Sequence, residues 1–358
     1  MKNNRVRWQS LILLVLGLNC GLSPLFAAPS LEEQQPEFRK EAISLKFPNV
    51  ERGALPDTLN GGKRCSGCLT KSEKVWFRSI LPSAMKDSEA IATANTTSSA
   101  PSLWWYIPQN QAVKGELSIF QQDGSLVYTQ DLSTIDNQGG LLRLDLPEGL
   151  LQSGIRYWWD FALACDENDR SGDTYLFGEL QYHNIETVTM GQDPQTKNVL
   201  RTILTAPDSV LTIGNADSRI QLAQELDSDF SAVEDRLRQH YISLQNDYVR
   251  LNNRIYELEK KPTSNWEEMN NLKTEQSVMV QELAQLAALF GMWADMVDLL
   301  ASHRTKNPEE WRALLGQILP LPDLERTGFD PDEMVRLLTT ADNLRDRPKK
   351  VNGAGTKC

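Results

Sequence analysis

The stretch Gly154-Ile155-Arg156-Tyr157-Trp158-Trp159-Asp160-Phe161-Ala162-Leu163-Ala164-Cys165 carries the pattern that decides the fold. Every second residue from Ile155 to Cys165 is apolar, whereas the residues between them include an arginine, an aspartate and two alanines. Alternation with a period of two is typical of a β-strand that buries one face. The stretch therefore predicts a central strand whose aromatic side chains point into a core.

Shorter strand-like segments surround this strand along the chain. Each is bounded by glycine, proline or a polar turn, and no helical spacing separates them: 103–107, 115–120, 125–129, 142–146 and 174–182. Short strands at close intervals indicate an antiparallel β-sandwich. Tyr157, at the start of the central strand, fits the tyrosine corner of an immunoglobulin or fibronectin domain.

Two tryptophan doublets, Trp104-Trp105 and Trp158-Trp159, lie in predicted strands. Because neighbouring strand residues point to opposite faces, one indole of each doublet must point away from the core. A carbohydrate or a peptide could stack on such an indole, or helices could cover it. We favour helices, because contiguous exposed aromatic patches are uncommon on soluble proteins.

A polar loop follows the central strand. Residues 166–173 contain four acids, one arginine and one glycine, which predicts a surface turn. We single out Asp166, Asp169, Arg170 and Asp173 as a candidate surface or ligand loop. One alternative is a calcium site, although Arg170 stands where an EF-hand needs an oxygen ligand. The other is that Arg170 pairs with one of the acids while Asx turns shape the loop.

The first residues have the three parts of a secretory signal. A basic start precedes the apolar run 11–18 and the small residues Ala27-Ala28. The apolar run is much shorter than the roughly 20 residues that span a membrane. We therefore predict an exported protein, periplasmic or extracellular, without stable membrane insertion. The net charge of −11 over 358 residues also argues against binding to nucleic acid.

Export changes how the cysteines are interpreted, because thiols outside the cytosol tend to pair. Beyond the predicted signal the chain keeps Cys65, Cys68, Cys165 and Cys358, which allow three pairings. Cys65 and Cys68 form a C-x-x-C pair, whose alternative role is thiol redox chemistry. No pattern of a strand followed by a helix flanks that pair, so a structural disulfide is the preferred interpretation.

A long helical pattern follows the strands. From Leu222 to Leu258 the apolar residues are separated by threes and fours, which is the spacing of a coiled-coil seam. Pro262 ends this helix, and Ser264 with Glu267 forms a capping box that begins another. The pattern predicts an antiparallel coiled-coil hairpin with arms of about 35 residues, each roughly 50 Å long.

Together these patterns predict an α+β fold. An immunoglobulin- or fibronectin-like antiparallel β-sandwich is followed by a helical region that contains the long coiled-coil hairpin. The predicted organisation is signal peptide 1–28, flexible leader 29–62, β-sandwich 63–190, linker 191–220, coiled-coil hairpin 221–289, helical region packing on the sandwich 290–340 and polar tail 341–358.

Several motifs, in this order along the chain, resemble a known family. They are Leu103-Trp104-Trp105-Tyr106-Ile107-Pro108, the stretch 154–173 and Gly291-Met292-Trp293-Ala294-Asp295. The family is the cyanobacterial exported "domain of unknown function 928". Gly62-Lys63-Arg64, shortly before Cys68, is also similar to the first motif of that family.

The resemblance covers about residues 61–183 and 284–319. It implies a disulfide between Cys68 and Cys165, with Cys65 as the alternative to Cys68. It implies export and an architecture, but it implies no particular reaction.

No motif for catalysis or cofactor binding stands out. His183, His240 and His303 have neither metal-ligand nor triad spacing, and we expect the latter two to be solvated. We therefore predict no catalytic residues, no metal and no cofactor. The favoured function is a non-enzymatic extracytoplasmic protein-binding or scaffold module.

The hairpin is the predicted contact surface, for a protein partner or for a second copy of the chain, because long helical arms bury little against a compact sandwich. The alternative is a thiol-redox protein that uses Cys65 and Cys68. A further alternative is a calcium- or glycan-binding protein that uses residues 166–173.

Overall fold

The computed structural model describes residues 68–69, 77–81, 93–132, 135, 137–192, 194–207, 209–261 and 265–318. Within them the chain forms two β-sheets, of three and five strands, followed by six α-helices. This is a mixed α+β fold, as the sequence predicts. The predicted signal peptide, leader and polar tail lie outside the described residues, as do Cys65 and Cys358.

The strands fall into two sheets. They are β1 Arg78–Ser79, β2 Thr93–Thr96, β3 Ser102–Ile107, β4 Lys114–Gln121, β5 Leu126–Leu132, β6 Gly140–Asp145, β7 Arg156–Ala164 and β8 Thr174–Tyr182. The small sheet is antiparallel, in the order β1-β3-β6. The large sheet has the order β2-β8-β7-β4-β5, with β2 parallel to β8 and the other pairs antiparallel. The strand predicted from residues 154–165 is β7, in the middle of the large sheet.

The inward faces of the two sheets share one apolar core. The ring centroid of Trp105, from β3, is 5.6 Å from that of Trp159 and 4.8 Å from that of Phe161, both from β7. Gly178 of β8 lies opposite Trp159, and a Cβ atom at this glycine would lie 2.3 Å from the indole. Any larger residue at position 178 would therefore displace that ring from the core.

A buried tyrosine holds the turn before β7. Tyr157 lies inside the core, and its hydroxyl accepts a hydrogen bond from the backbone N–H of Gln152 at 3.0 Å. A buried phenol needs a partner for its hydroxyl group. The bond satisfies this need and fixes the direction of the chain where β7 begins.

The helices follow the last strand. They are α1 Pro194–Thr205, α2 Ala216–Glu225, α3 Phe230–Glu259, α4 Trp266–Leu289, α5 Trp293–Ser302 and α6 Pro308–Ile318. Asn215, Asp229 and Asn265 cap α2, α3 and α4, because each side chain accepts a hydrogen bond from a backbone N–H of the first turn. Among the described helices, none combines the length and the apolar content that crossing a membrane requires.

The linker predicted for residues 191–220 is wrong, because this segment contains all of α1 and the start of α2. α1 buries Leu200 and Leu204, which lie one helical turn apart. Its apolar residues Val199, Leu200, Ile203 and Leu204 recur at helical spacing, so this short helix was visible in the sequence.

The prediction of one helix from Leu222 to Leu258 is wrong at its start. α2 ends at Glu225, and α3 begins after Asp229, whose carboxylate accepts a hydrogen bond from the first turn of α3 at 3.0 Å. The apolar spacing continues across this break because Leu222 packs in the same core as α3. Spacing alone therefore concealed the turn.

α3 and α4 pack against each other in opposite directions, with 30 and 24 residues. Near their connection Arg254 pairs with Glu268 at 2.6 Å. A small apolar cluster lies in the same part of the pair, apart from the large helical core: Leu251, Ile255 and Leu272. We call residues 249–261 and 265–276 the distal hairpin.

The helices cover the outer face of the small sheet. Trp104 of β3 and Leu141 of β6 belong to the helical core, and α5 contacts both β2 and β3. Trp293, the first residue of α5, donates a hydrogen bond from its indole to the carbonyl of Ile80 at 3.3 Å. The described part of the chain therefore has three layers: the large sheet, the small sheet and the helices.

Candidate functional site

Cys68 and Cys165 lie at bonding distance. Their Sγ atoms are 2.16 Å apart and their Cα atoms are 4.9 Å apart, although 97 positions separate them in the sequence. The bridge ties the segment before the sheets to the end of β7. It also engages the second cysteine of the C-x-x-C pair, so the thiol-redox alternative would need Cys68 to exchange partners.

The loop of residues 166–173 is shaped by its own side chains. Residues Arg170–Gly172 form one turn of 3-10 helix, and the Asp169 carboxylate caps it by accepting from the N–H of Ser171 at 2.9 Å. The pKa of Asp169 is lowered mainly by a hydrogen bond from the Ser171 side chain and next by this backbone hydrogen bond. Asp166 accepts from the N–H of Asn168 at 2.8 Å. The exposed acids thus form the Asx turns that were one of the two interpretations of the loop.

Asp173, by contrast, is buried. Its carboxylate accepts hydrogen bonds from the backbone N–H of Cys165 at 3.0 Å and from the Tyr175 hydroxyl at 3.2 Å, and it pairs with Arg170. The Arg170 guanidinium also reaches Glu116 at 3.4 Å, and its hydrogen bond to Asp173 raises the Arg170 pKa. The four singled-out residues therefore form an internally bonded turn beside the disulfide. No group of three or more metal-ligating side chains occurs in the parts of the chain that the structure describes.

Helix α5 presents one buried carboxylate to the large sheet. Asp295 accepts hydrogen bonds from the Thr96 hydroxyl at 2.5 Å, the Thr97 N–H at 2.8 Å and the Thr97 hydroxyl at 2.6 Å. Burial raises the pKa of Asp295, while these donors act in the opposite direction. Because the donors lie at the end of β2, Asp295 fixes α5 to the edge of that sheet.

One turn later, Asp298 faces the small sheet. It accepts a hydrogen bond from the indole N–H of Trp104 at 3.0 Å and pairs with Arg143 of β6 at 3.4 Å. Arg143 also pairs with Asp145 at 2.8 Å. Burial raises the pKa of Asp298, and the charge of Arg143 opposes this shift. The outward indole of the first tryptophan doublet is thus bonded to a helix almost 200 residues away.

A groove of about 430 Å³ lies between the distal hairpin and α5. We call it the hairpin groove. Its lining comes from α3, α4, α5 and β6: Arg143, Tyr248, Asn252, Ile255, Tyr256, Glu259, Gln276, Asp298, Leu299, Ser302 and His303. Burial is the main cause of three pKa shifts in this lining: it raises the pKa of Tyr248 and Asp298 and lowers the pKa of His303. Shifted groups that converge in a cavity mark a candidate functional site.

A chain of hydrogen bonds crosses this groove from α4 to α5. Gln276 donates to the side-chain oxygen of Asn252 at 2.6 Å, and Asn252 is bonded to the Tyr248 hydroxyl. That hydroxyl lies 3.3 Å from Nε2 of His303, whose Nδ1 lies 3.0 Å from the carbonyl of Leu299. Because a carbonyl only accepts, we assign the proton to Nδ1, which leaves Nε2 to accept from tyrosine. The groove therefore holds a neutral imidazole with a fixed tautomer.

The groove contains a serine, a histidine and an aspartate, which are the residue types of a hydrolytic triad. The histidine is not hydrogen-bonded to the serine, as a triad requires. The Ser302 hydroxyl lies 3.4 Å from Asp298 and 3.4 Å from a guanidinium nitrogen of Arg143. His303, the only histidine in the groove lining, is bonded to Tyr248 instead of Ser302. A nucleophilic serine needs a base within hydrogen-bond reach. The arrangement therefore provides donors and acceptors for a bound group, with no serine–histidine pair among the described lining residues.

Sequence reasoning missed this site. It expected His240 and His303 to be solvated, but His240 lies 2.8 Å from the buried Glu282 and His303 is only partly exposed. One signal was available: Asp295, Asp298 and Ser302 are spaced by three and four, so they share a face of α5. Their partners on β2, β3 and β6 have no such pattern.

Residues 60–206 match the family described as Domain of Unknown Function (DUF928). A search of the curated proteins found no match to this chain. The matched segment contains both described sheets and α1, whereas the groove-lining residues of α3, α4 and α5 lie beyond it. The match agrees with the resemblance of the Trp104-Trp105 and Cys165 motifs, and this segment of the chain is similar to the DUF928 family.

Proposed function

We propose that the chain is a non-enzymatic, exported protein-binding or scaffold module, and that a segment of a protein partner lies in the hairpin groove. The observation that carries the proposal is the groove itself, where polar groups with shifted pKa values line an open cavity beside a helical projection. Such a lining offers orientation and specificity to a bound segment.

Exposed side chains on the distal hairpin support a protein partner. Tyr256, which lines the groove, is 58% exposed, and Trp266, at the start of α4, is 76% exposed. Tyrosine and tryptophan carry much of the binding energy in protein interfaces. Both side chains belong to the α3–α4 pair, which we interpret as a short antiparallel coiled coil.

We infer that the two sheets form an immunoglobulin- or fibronectin-like sandwich. The sheet orders β1-β3-β6 and β2-β8-β7-β4-β5 support this, because the early edge strand β2 pairs in parallel with β8, the last strand. The hydrogen bond between the Tyr157 hydroxyl and Gln152 also has the position expected for a tyrosine corner. Sandwiches of this kind commonly serve as extracellular binding domains.

Export is supported by the three-part pattern of residues 1–28 and by the cysteine pair. In the exported chain we expect non-reducing peptide mapping to recover a peptide pair that joins Cys68 to Cys165. The Cys65→Ser variant is the matched control and should give the same pair. A bridge from Cys65 to Cys165, or fully reduced thiols, would contradict this part of the proposal.

Site-specific photo-crosslinking in the producing cells tests the proposed binding surface. A photoreactive residue at Tyr256 should give a discrete crosslinked species of the chain with one protein. The control is the same residue at Ile220, which is 44% exposed on α2 and does not line the groove. Two differently tagged copies of the chain show whether the crosslinked protein is a second copy.

If the partner lies in the groove, a change in the groove lining should lower the yield of the crosslink formed at Tyr256. Replacing Arg143 by glutamine changes the groove lining without touching Tyr256, so we expect the crosslinked yield to fall several-fold. Equal crosslinking from positions 256 and 220, or none at all, would contradict the proposal.

A further inference from the structure

The outer face of the large sheet carries a second, separate cluster. Asp160 of β7 lies directly opposite Ser118 of β4 and Phe177 of β8. Trp158 is two residues away on the same strand and therefore on the same face. It lies opposite Phe120, so aromatic rings adjoin the aspartate on two sides. We call these five residues the aromatic face.

The aromatic face is open to solvent at its edge. Phe177 is 40% exposed and stacks on Tyr175, with ring centroids 6.1 Å apart. Leu126, the neighbour of Phe120 on β5, is also exposed. Exposed apolar patches rimmed by polar groups are typical of interaction surfaces.

The acids around this face already have basic partners. Glu116 pairs with Lys114 at 3.3 Å and with Arg170 at 3.4 Å, and Glu179 lies 3.8 Å from Arg156. Asp160 differs, because it forms no ion pair with any residue that the structure describes. Its hydrogen-bond partner is Ser118.

Asp160 is therefore a half-buried carboxylate without a cation at ion-pair distance among the described residues, and the charge of Glu116 acts on it more strongly than the opposite charge of Arg170. Burial raises its pKa, which shows that the charged form loses hydration at this position. A cation placed beside it would form a charge-assisted hydrogen bond and would also contact the faces of Trp158 and Phe177. A neutral donor would form only the hydrogen bond, without the ion pair or the attraction to the rings, and an anion would be repelled.

We propose that the aromatic face binds the side chain of a lysine or arginine from a protein partner, with Asp160 as the counterion and Trp158 and Phe177 as the flanking rings. This surface is distinct from the hairpin groove, so its test does not depend on the function proposed above. The partner chemistry follows from Asp160, which has no basic group at ion-pair distance among the described residues and which feels the repulsion of Glu116 more than the attraction of Arg170.

The test uses acetyl-tetralysine amide as the probe and the full exported chain as the protein. Binding is followed through the indole N–H resonance of Trp158, which is assigned from its loss in the Trp158→Phe variant. We expect a saturable shift, and we expect Asp160→Asn to weaken binding by about tenfold, as for loss of a hydrogen bond to a charged group. Phe177→Leu keeps an apolar side chain without the ring and should weaken binding by about two- to fivefold.

The matched control is Asp166→Asn, which removes the same charge from the neighbouring exposed loop. Its affinity should stay within about twofold of the unmodified chain, since exposed charge pairs contribute little. A second ligand, the same peptide with acetylated lysines, keeps the proposal testable even if a variant fails to fold. It should give no saturable shift. Equal effects of the two aspartate variants, binding of the acetylated peptide, or no binding of tetralysine would overturn the proposal.

Discussion

The two tryptophan doublets begin with the same pattern and end in different surroundings. Trp105 and Trp159 both lie in the core between the sheets. Their neighbours differ, because Trp104 is only 4% exposed beneath the helices, whereas Trp158 lies on the aromatic face of the other sheet. One sheet is thus covered by the helices, and the other keeps aromatic and apolar side chains of its outer face partly exposed.

This difference shows that a strand pattern determines which neighbouring residues point to opposite faces of the sheet. It does not determine what covers the residue on the outer face. Trp104 is covered because Asp298 accepts its indole N–H and because Asp295 holds α5 at the edge strand β2. Both aspartates lie in a helix that follows the sheets by more than 100 residues. No comparable acceptor is bonded to Trp158 among the described residues.

The largest effect is expected inside the shared core. Trp159→Ala should lower the free energy of unfolding by about 3–5 kcal/mol, because it removes a ring that contacts Trp105 and faces Gly178. Chemical denaturation measures this directly. The control is Trp158→Ala, for which we expect about 1 kcal/mol or less because that ring is only partly buried. Equal losses would mean that the two indoles are not on different faces.

The next effect concerns the attachment of the helices. Asp295→Ala leaves the hydroxyls of Thr96 and Thr97 and one backbone N–H without their acceptor, so we expect a loss of about 3 kcal/mol. Asp247→Ala, which removes an exposed acid of α3, is the matched control and should change stability by less than about 0.5 kcal/mol. If both variants unfold at the same denaturant concentration, Asp295 does not hold α5 on the sheet.

A smaller effect should separate the two outward indoles. Trp104→Phe keeps an aromatic ring but removes the donor to Asp298, so we expect a loss of about 1–2 kcal/mol. Trp158→Phe removes no comparable bond and should cost less than about 0.5 kcal/mol. Thermal unfolding of the two variants gives the comparison. A larger loss from Trp158→Phe would reverse the assignment of the covered and open faces.

Much of the sheet region follows from the sequence. The stretch 154–165 predicts β7, and residues 174–182 coincide with β8. Alternation identifies strands reliably here because each buries one face against the other sheet. The helices are harder. The linker prediction overlooked the short helical spacing of α1, and the spacing from Leu222 onward continues across the turn before Asp229 because both sides of that turn pack in one core.

The turn at 166–173 and the hairpin groove also differ in how far the local sequence predicts them. The bonded turn at 166–173 is visible in sequence because its partners are two or three residues apart, as in the pair of Arg170 and Asp173. The hairpin groove is not visible, because Arg143, Tyr248 and His303 come from distant parts of the chain. Only packing brings them together, and no local spacing encodes that.

The smallest predicted effect is a pH dependence from the groove. Burial lowers the pKa of folded His303 below its ordinary value of 6.5, so folding favours the neutral imidazole. Its contribution to stability is present above about pH 6.5 and is lost as the pH falls through the lowered pKa. His183 shifts in the same direction. We therefore expect the melting temperature of the His303→Gln variant to fall less between pH 7.5 and about pH 5 than that of the unmodified chain. The His183 contribution remains in both proteins. Identical pH profiles would contradict the buried neutral imidazole.

Oxidative footprinting of the intact chain tests most directly the claim that the helices cover one sheet and leave the other open. Mass spectrometry gives the modification rate of each tryptophan, with the highly exposed Trp266 as the reference. We expect Trp158 to be modified several times faster than Trp104, and Trp104 to lose its protection in Asp295→Ala. Modification of Trp104 at the same rate as Trp158 in the unmodified chain would contradict the account.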